Sequence, residues 1–191
     1  DLSTWVCRPW SATLSAMGTH RIDVHAASAA PPDAVEALLA DATTWPTWSS
    51  FEDAVIEQPD AEGGQGVGSR RRFRFGRTRS LEEIVAFEPP RHVAYVLLSG
   101  LPVRDYRGDV ELTATSAGGT DIHWHSEFRT RIPGTGGLIV KRLGDFIQDL
   151  ADALGAAPHD ARGPRPHRCD RRPQGRRTHP RSRAAPDAST P

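Results

Sequence analysis

Apolar residues between Gly137 and Gly155 recur every three or four positions, the spacing of one face of an amphipathic helix. Polar residues such as Lys141 and Asp149 fall between them, on the opposite face. The pattern predicts one long helix over Gly137 to Gly155, with Gly155 as a left-handed cap residue. The apolar positions are Ile139, Leu143, Phe146, Ile147, Leu150 and Leu154. So wide an apolar stripe needs a large apolar partner surface.

Upstream of this helix, apolar and polar residues alternate with the period of two that is typical of half-buried strands. The first strand is predicted at His20 to Ala26, and six more follow between Phe51 and Ile132. A helix over Asp33 to Ala42 and a short turn around Pro46 separate the first strand from the others. Short loops between the six strands favour antiparallel pairing. We predict an α+β domain in which a curved, seven-stranded antiparallel sheet wraps on the long helix, in the order β-α-α-β6-α.

Turn lengths predict which residues face inward. A three-residue loop at 117–119 pairs Leu112 with Trp124, which places the apolar residues of both strands on one face. A three-residue loop at 76–78 pairs Arg71 with Glu83 on the same apolar face. An inward arginine requires a facing carboxylate, because burying one charge alone is costly.

The charge distribution divides the chain. Nine arginines and three aspartates lie in residues 158–191, which leaves 15 basic and 21 acidic residues in residues 1–157. We predict a disordered N-terminal extension over 1–18, a folded domain over 19–157 and a disordered basic tail over 158–191. Cys7 and Cys169 lie in opposite ends, which favours a reducing, cytoplasmic setting. No apolar run is long enough for a bilayer span, and no signal peptide is indicated.

Three segments carry a resemblance to a known family: APPDAVEALLADATTWPTWS (Ala30 to Ser50), FEPPRHVAY (Phe87 to Tyr95) and GGTDIHWHSEFRTRIPGTGGLIVKRL (Gly118 to Leu143). They resemble the SRPBCC superfamily, the helix-grip fold shared by START lipid-transfer domains, pollen allergens and polyketide cyclases. Among its members the chain looks most like the polyketide cyclase/dehydrase and lipid-transport group. From the residues alone, a closed core is the usual fate of such aromatic side chains. The resemblance instead implies space between the sheet and the long helix.

Aromatic residues gather where this space is expected, and tyrosine and tryptophan add polar groups that a ligand can use. We therefore predict binding of a hydrophobic small molecule, lipid-like or aromatic and polyketide-like, without a cofactor. The residues predicted to line the site are Trp45, Trp48, Phe51, Arg71, Phe73, Glu83, Tyr95, Tyr106, Trp124, Phe128, Phe146 and Leu150.

The resemblance leaves two other functions open. In a polyketide cyclase/dehydrase of this fold, an arginine and hydroxyl groups orient a poly-β-ketone, which makes Arg71, Tyr95 and Tyr106 the catalytic candidates. The Arg71–Glu83 pair can instead be a structural ion pair near the rim, which is the more usual role of such a pair. The third possibility is a protein-interaction module of the Hsp90-activator type.

Other chemistry finds little support. His123 and His125 have a spacing suited to zinc or copper, but the predicted register puts them on a solvated face among acids, so no metal site is predicted. No nucleotide-binding, nucleophile-elbow or zinc-protease motif is present. The basic tail has no interleaved aromatic residues, so no specific nucleic-acid partner is expected. The oligomeric state stays open.

Overall fold

A computed structural model describes residues 18–158 of the chain, and the predicted N-terminal extension and basic tail lie outside these residues except for Gly18 and Pro158. Within them, the alternating segments form seven strands. The strands are β1 (His20–Ser28), β2 (Asp53–Gln58), β3 (Arg70–Phe75), β4 (Thr78–Glu88), β5 (His92–Ser99), β6 (Val103–Ala114) and β7 (Thr120–Thr130). All neighbouring strands are antiparallel, and the sheet order is β1-β7-β6-β5-β4-β3-β2. Irregularities in β2, β4 and β6 bend the strands, which gives a curved sheet.

Three α-helices and a short 3₁₀-helix complete the described part of the chain. Helix α1 (Pro32–Ala40) and α2 (Trp45–Trp48) flank the 3₁₀-helix Ala42–Thr44, and the long α3 (Gly136–Ala156) follows the last strand. The predicted α+β arrangement and the β-α-α-β6-α order are confirmed. None of the helices in residues 18–158 has the length and apolar character that a bilayer span needs.

Helix α3 buries one face against the sheet. Ile147, Leu150 and Leu154 of the predicted stripe are buried there, together with Ala151. The prediction that Gly155 caps the helix is wrong: the helix continues to Ala156, and Ala157 is the cap residue. Gly155 instead lies against β1, where a Cβ atom would come within 2.4 Å of the Ala27 carbonyl oxygen. The missing side chain lets α3 approach the strand closely.

The register of β6 and β7 differs from the predicted register by two residues. Leu112 pairs with Ile122 and Val110 pairs with Trp124, because the connecting turn is longer than three residues. A shift of two preserves the alternation, so the predicted faces are correct. Val110, Leu112, Ile122 and Trp124 are all buried.

The register of β3 and β4 differs by one residue, which reverses the faces of β4. Phe75 pairs with Thr78, so the turn contains only Gly76 and Arg77. Two-residue hairpin loops favour positive φ, and Gly76 has a φ of 54°. Arg71 therefore pairs with Glu82, and the predicted Arg71–Glu83 pair is wrong. Glu83 instead contacts Arg70, with 2.7 Å between Arg70 Nε and Glu83 Oε2.

We expect Gly155→Ala to lower the free energy of unfolding by about 1–2 kcal/mol, because the new methyl group forces α3 away from Ala27. Gly144→Ala is the matched control. Its Cβ would meet only Ile22 Cγ2, at 3.9 Å, so helix propensity should raise the stability by up to about 1 kcal/mol. Urea denaturation followed by circular dichroism measures both changes. Equal effects of the two substitutions would contradict this account of Gly155.

Candidate ligand-binding site

A cavity of about 390 Å³ lies between α3 and the inner face of the sheet. This volume falls within the range of about 300–1,000 Å³ that is usual for small-molecule sites. The wall consists mainly of apolar and aromatic side chains. Seven predicted residues line it: Trp45, Phe51, Tyr95, Tyr106, Trp124, Phe146 and Leu150.

The other five predicted residues lie elsewhere. Phe73 is buried beneath the wall, with its ring centroid 4.7 Å from those of Trp45 and Phe51. Trp48 packs on Trp45 from behind, and its indole Nε1 donates to Thr44 Oγ1 over 3.2 Å. Phe128 packs against Tyr106 and His20. Arg71 is buried behind the wall, and Glu83 faces outward beside Arg70.

The sequence reasoning missed thirteen lining residues. The helix stripe already contained Ile139, Leu143 and Ile147, so helical periodicity was sufficient to find them. Predicting a two-residue turn at Gly76 and Arg77 would have placed Ser80 and Glu82 on the inner face of the sheet. The others line the mouth and one side: Phe75, Thr78, Leu97, Leu101, Pro102, Val103, Leu138 and Arg142. Leu138 is 64% exposed and Phe75 is 45% exposed, so apolar side chains surround the opening.

Two tyrosine hydroxyl groups form a polar patch on the wall. The Tyr95 and Tyr106 hydroxyl oxygens lie 3.3 Å apart, and the Tyr106 hydroxyl lies 2.8 Å from Ser126 Oγ. Trp124 Nε1 donates to the Tyr95 hydroxyl over 3.1 Å. Burial raises the Tyr95 pKa well above its usual value. It also raises the Tyr106 pKa to about 12, although the hydrogen bonds between Tyr106 and the Ser126 and Tyr95 hydroxyls lower it. Both hydroxyl groups are therefore protonated at neutral pH.

A glycine in β6 makes room for this patch. Gly108 pairs directly with Tyr95, and a Cβ atom at this position would lie 2.5 Å from Tyr95 Cζ. The tyrosine ring therefore lies across the backbone of the neighbouring strand. Glycine in a strand interior often marks such a close approach.

A buried ion pair lies next to the patch. Arg71 Nε is 3.4 Å from Glu82 Oε2, and the Arg71 and Glu82 side chains are 2% and 12% exposed. The guanidinium carbon lies 5.1–5.4 Å from the ring centres of Trp45, Phe73 and Tyr95, within the range of cation–π contacts. Among the described residues, Arg71 Nε and Nη2 have no hydrogen-bond acceptor, while Nη1 donates to the Leu39 carbonyl over 3.5 Å.

Glu82 is the member of the pair that reaches the cavity. Burial raises the pKa of its carboxyl group, and the opposing charge of Arg71 lowers it by less. The wall therefore offers an apolar surface with one concentrated polar region, built from this carboxyl group and the two tyrosine hydroxyls. Such a region can accept and donate hydrogen bonds, and its carboxyl group can exchange a proton.

We expect Glu82→Gln to lower the free energy of unfolding by about 3 kcal/mol at pH 7, because it leaves the Arg71 charge buried without a counter-charge. The double replacement of Arg71→Met with Glu82→Gln should recover most of this loss. Chemical denaturation of the three variants and the wild type gives the coupling energy.

Glu83→Gln is the matched control, because it breaks the more exposed pair with Arg70 on the outer face. Its cost should be below about 1 kcal/mol. If Glu82→Gln lowered the free energy of unfolding no more than this control, the Arg71–Glu82 pair would not stabilise the folded protein as proposed.

Similarity to known proteins identifies both the family and the fold of the chain. The family described as polyketide cyclase/dehydrase and lipid transport matches residues 19–157. No curated protein has a sequence that matches the chain significantly. Solved structures match at low sequence identity, so they show the fold alone.

Three of these structures illustrate the fold. A START superfamily protein from Mycobacterium smegmatis has a TM-score of 0.63 at 14% identity, over 71% of this chain and 94% of that one. The protein XoxI from Bacillus cereus has a TM-score of 0.60 at 14% identity, over 71% and 92%. Norcoclaurine synthase from Thalictrum flavum, in complex with dopamine and hydroxybenzaldehyde, has a TM-score of 0.56 at 19% identity, over 72% and 85%. The chain therefore belongs to the polyketide cyclase/dehydrase and lipid transport family, and it has the START-like helix-grip fold of the SRPBCC superfamily.

Proposed function

We propose that the protein binds a hydrophobic small molecule, lipid-like or aromatic, in the cavity between α3 and the sheet. The observation that carries this proposal is the cavity itself: about 390 Å³ of space with an almost wholly apolar wall. A sealed core would leave no such space, because protein interiors normally pack with few voids larger than a water molecule. Burying an apolar ligand there is favourable at about 25 cal/mol per Å² of apolar surface removed from water.

The wall favours a ligand with an aromatic ring and a hydroxyl or carbonyl group. The rings of Trp45, Phe51 and Phe146 offer stacking and edge contacts. The Tyr95 and Tyr106 hydroxyls and the Glu82 carboxyl group offer hydrogen bonds in one place. Norcoclaurine synthase, which has the same fold, holds dopamine and hydroxybenzaldehyde, both of which are aromatic molecules with hydroxyl groups. That likeness supports an aromatic ligand over a plain alkyl chain.

Binding can be tested with palmitate, cholesterol, and hydroxylated naphthalenes and anthraquinones. We expect saturable binding of at least one class by calorimetry, with quenching of the fluorescence of Trp45 and Trp124, which line the cavity. Leu143→Trp should lower the affinity at least tenfold, because its larger side chain occupies the cavity.

Val55→Trp is the control for this substitution, since Val55 lies on β2 outside the cavity and is 39% exposed. Its affinity should equal that of the wild type. Absence of binding across the whole panel, or equal affinities in the two variants, would contradict the proposal.

Glu82 favours an enzymatic alternative, a polyketide cyclase/dehydrase. A carboxylate with a raised pKa can take a proton from the carbon between two ketones, while a tyrosine hydroxyl donates a hydrogen bond to the developing enolate oxygen. The enolate carbon then attacks a second carbonyl of the same chain and closes a ring, and the alkoxide that this forms takes the proton back from Glu82. Because Arg71 lies behind the wall, Glu82 replaces it as the group that meets the substrate.

This alternative predicts turnover of a poly-β-ketone, followed by the ultraviolet absorbance of the cyclised product. Glu82→Gln, made together with Arg71→Met to retain the fold, should lower kcat about 100-fold or more while the substrate still binds. Glu83→Gln should keep the wild-type rate, because Glu83 faces away from the cavity. A wild-type protein without turnover, or an unchanged rate in the double variant, would rule out this mechanism.

A further inference from the structure

The outer face of the sheet carries a group of histidines and acids from three strands. Strand β1 pairs with β7 so that His25 lies opposite His123, and β7 pairs with β6 so that His123 lies opposite Glu111. Asp23 lies two residues before His25 and shares its face. Strand β1 lies about 100 residues before β7 in the chain. Its pairing with β7 brings Asp23 and His25 next to the local pattern His123-Trp124-His125.

The nitrogen and oxygen atoms of three of these side chains converge. Asp23 Oδ1 lies 3.1 Å from His25 Nε2 and 3.2 Å from His123 Nε2. The His25 and His123 rings are stacked, with centroids 4.4 Å apart and planes 3° apart. Both Nε2 atoms therefore approach the same carboxylate oxygen from adjacent positions.

These separations match those of zinc ligands. Two ligand atoms bound about 2.1 Å from a tetrahedral zinc ion lie about 3.4 Å from each other. The observed N···O distances of 3.1 and 3.2 Å are close to this value before any side chain moves. The stacked rings have parallel planes, whereas an ion bound by both Nε2 atoms must lie near the plane of each ring. His25 is 71% exposed, so its ring is free to turn until Nε2 is directed to the ion, and Asp23 is 63% exposed and free to follow.

A fourth residue completes the arrangement. Glu111 Oε2 lies 3.3 Å from His123 Nδ1, on the opposite side of the ring from Asp23. Histidine ligands commonly donate their second ring N–H to a carboxylate, which fixes the tautomer and the ring orientation. With the proton on Nδ1, the Nε2 lone pair of His123 is directed to Asp23.

We propose that Asp23, His25 and His123 bind one divalent cation of the zinc class on the outer face of the sheet. Glu111 is a positioning residue that orients the His123 ring. Two imidazoles and one carboxylate suit Zn²⁺, Cu²⁺ or Ni²⁺ rather than Mg²⁺ or Ca²⁺, which prefer oxygen ligands. The ion joins edge strand β1 to β7, so its binding stabilises the folded sheet. This site is on the opposite face from the cavity and does not depend on the proposed function.

Calorimetric titration of the full chain with ZnCl₂ at pH 7.5 tests the proposal. We expect His123→Ala, His25→Ala and Asp23→Asn each to weaken zinc binding at this site at least tenfold. Glu111→Ala should weaken it about tenfold. Glu111→Gln should restore most of the affinity, because its amide oxygen also accepts from His123 Nδ1. Zinc should also raise the melting temperature of the wild type more than that of His123→Ala.

His92→Ala is the matched control, because His92 lies near the same face but contacts Asp109 and none of the three ligands. Zinc binding by histidines or cysteines outside residues 18–158 contributes the same heat to the titration of every variant, so it does not affect the comparison. Identical titrations of the wild type and the three ligand variants would overturn the proposal, since only hydrogen bonds would then join these groups. A loss in His125→Ala with none in His25→Ala would also overturn it, because it would place the ion between β6 and β7.

Discussion

Close packing of α3 on the edge strand β1 determines where the rest of the inner face stays open. Three glycines of the helix face the strand along its length. A Cβ atom at Gly136 would lie 2.2 Å from His20 Cε1, one at Gly144 would lie 3.9 Å from Ile22 Cγ2, and one at Gly155 would lie 2.4 Å from the Ala27 oxygen. Because the helix lies over one edge of the sheet, its other side faces β3, β4 and β5 across a gap. That gap is the cavity.

The polar groups of the cavity are a consequence of burying Arg71 and Tyr95 in the inner face of the sheet. Arg71 carries a charge into the core, and its cost is reduced by one carboxylate and three aromatic rings. The same carboxylate, Glu82, projects into the cavity, so the element that neutralises the buried arginine also gives the wall its one acidic group. Next to it, Gly108 leaves space for Tyr95, which in turn contacts Tyr106 and Trp124. An apolar wall with one polar region results.

Much of the fold could be predicted because it depends on local patterns. The period of the stripe in α3 and the alternation along the strands gave the element order and the faces of β6 and β7. Strand register depends on turn length, and Gly76-Arg77 forms a shorter turn than predicted, so Glu83 took the place of Glu82 in the predicted site. Phe73, Trp48 and Phe128 are aromatic, as many of the lining residues are. Packing decides whether such a ring lines the cavity or supports the wall from behind, and the sequence pattern does not show the packing. The grouping of Asp23 and His25 with His123 depends on pairing between distant strands, which no local pattern reveals.

The most direct measurement uses the tyrosines, because the chain has only two and both line the cavity. Protein carrying ¹³C-labelled tyrosine rings is titrated with the strongest binder among the fatty acids, sterols and hydroxylated aromatics, and the ring signals are followed by NMR. We predict that the signals of Tyr95 and Tyr106 both shift and reach saturation at the same ligand concentration as the calorimetric titration. Saturable binding that leaves both tyrosine signals unchanged would place the ligand elsewhere and contradict the account.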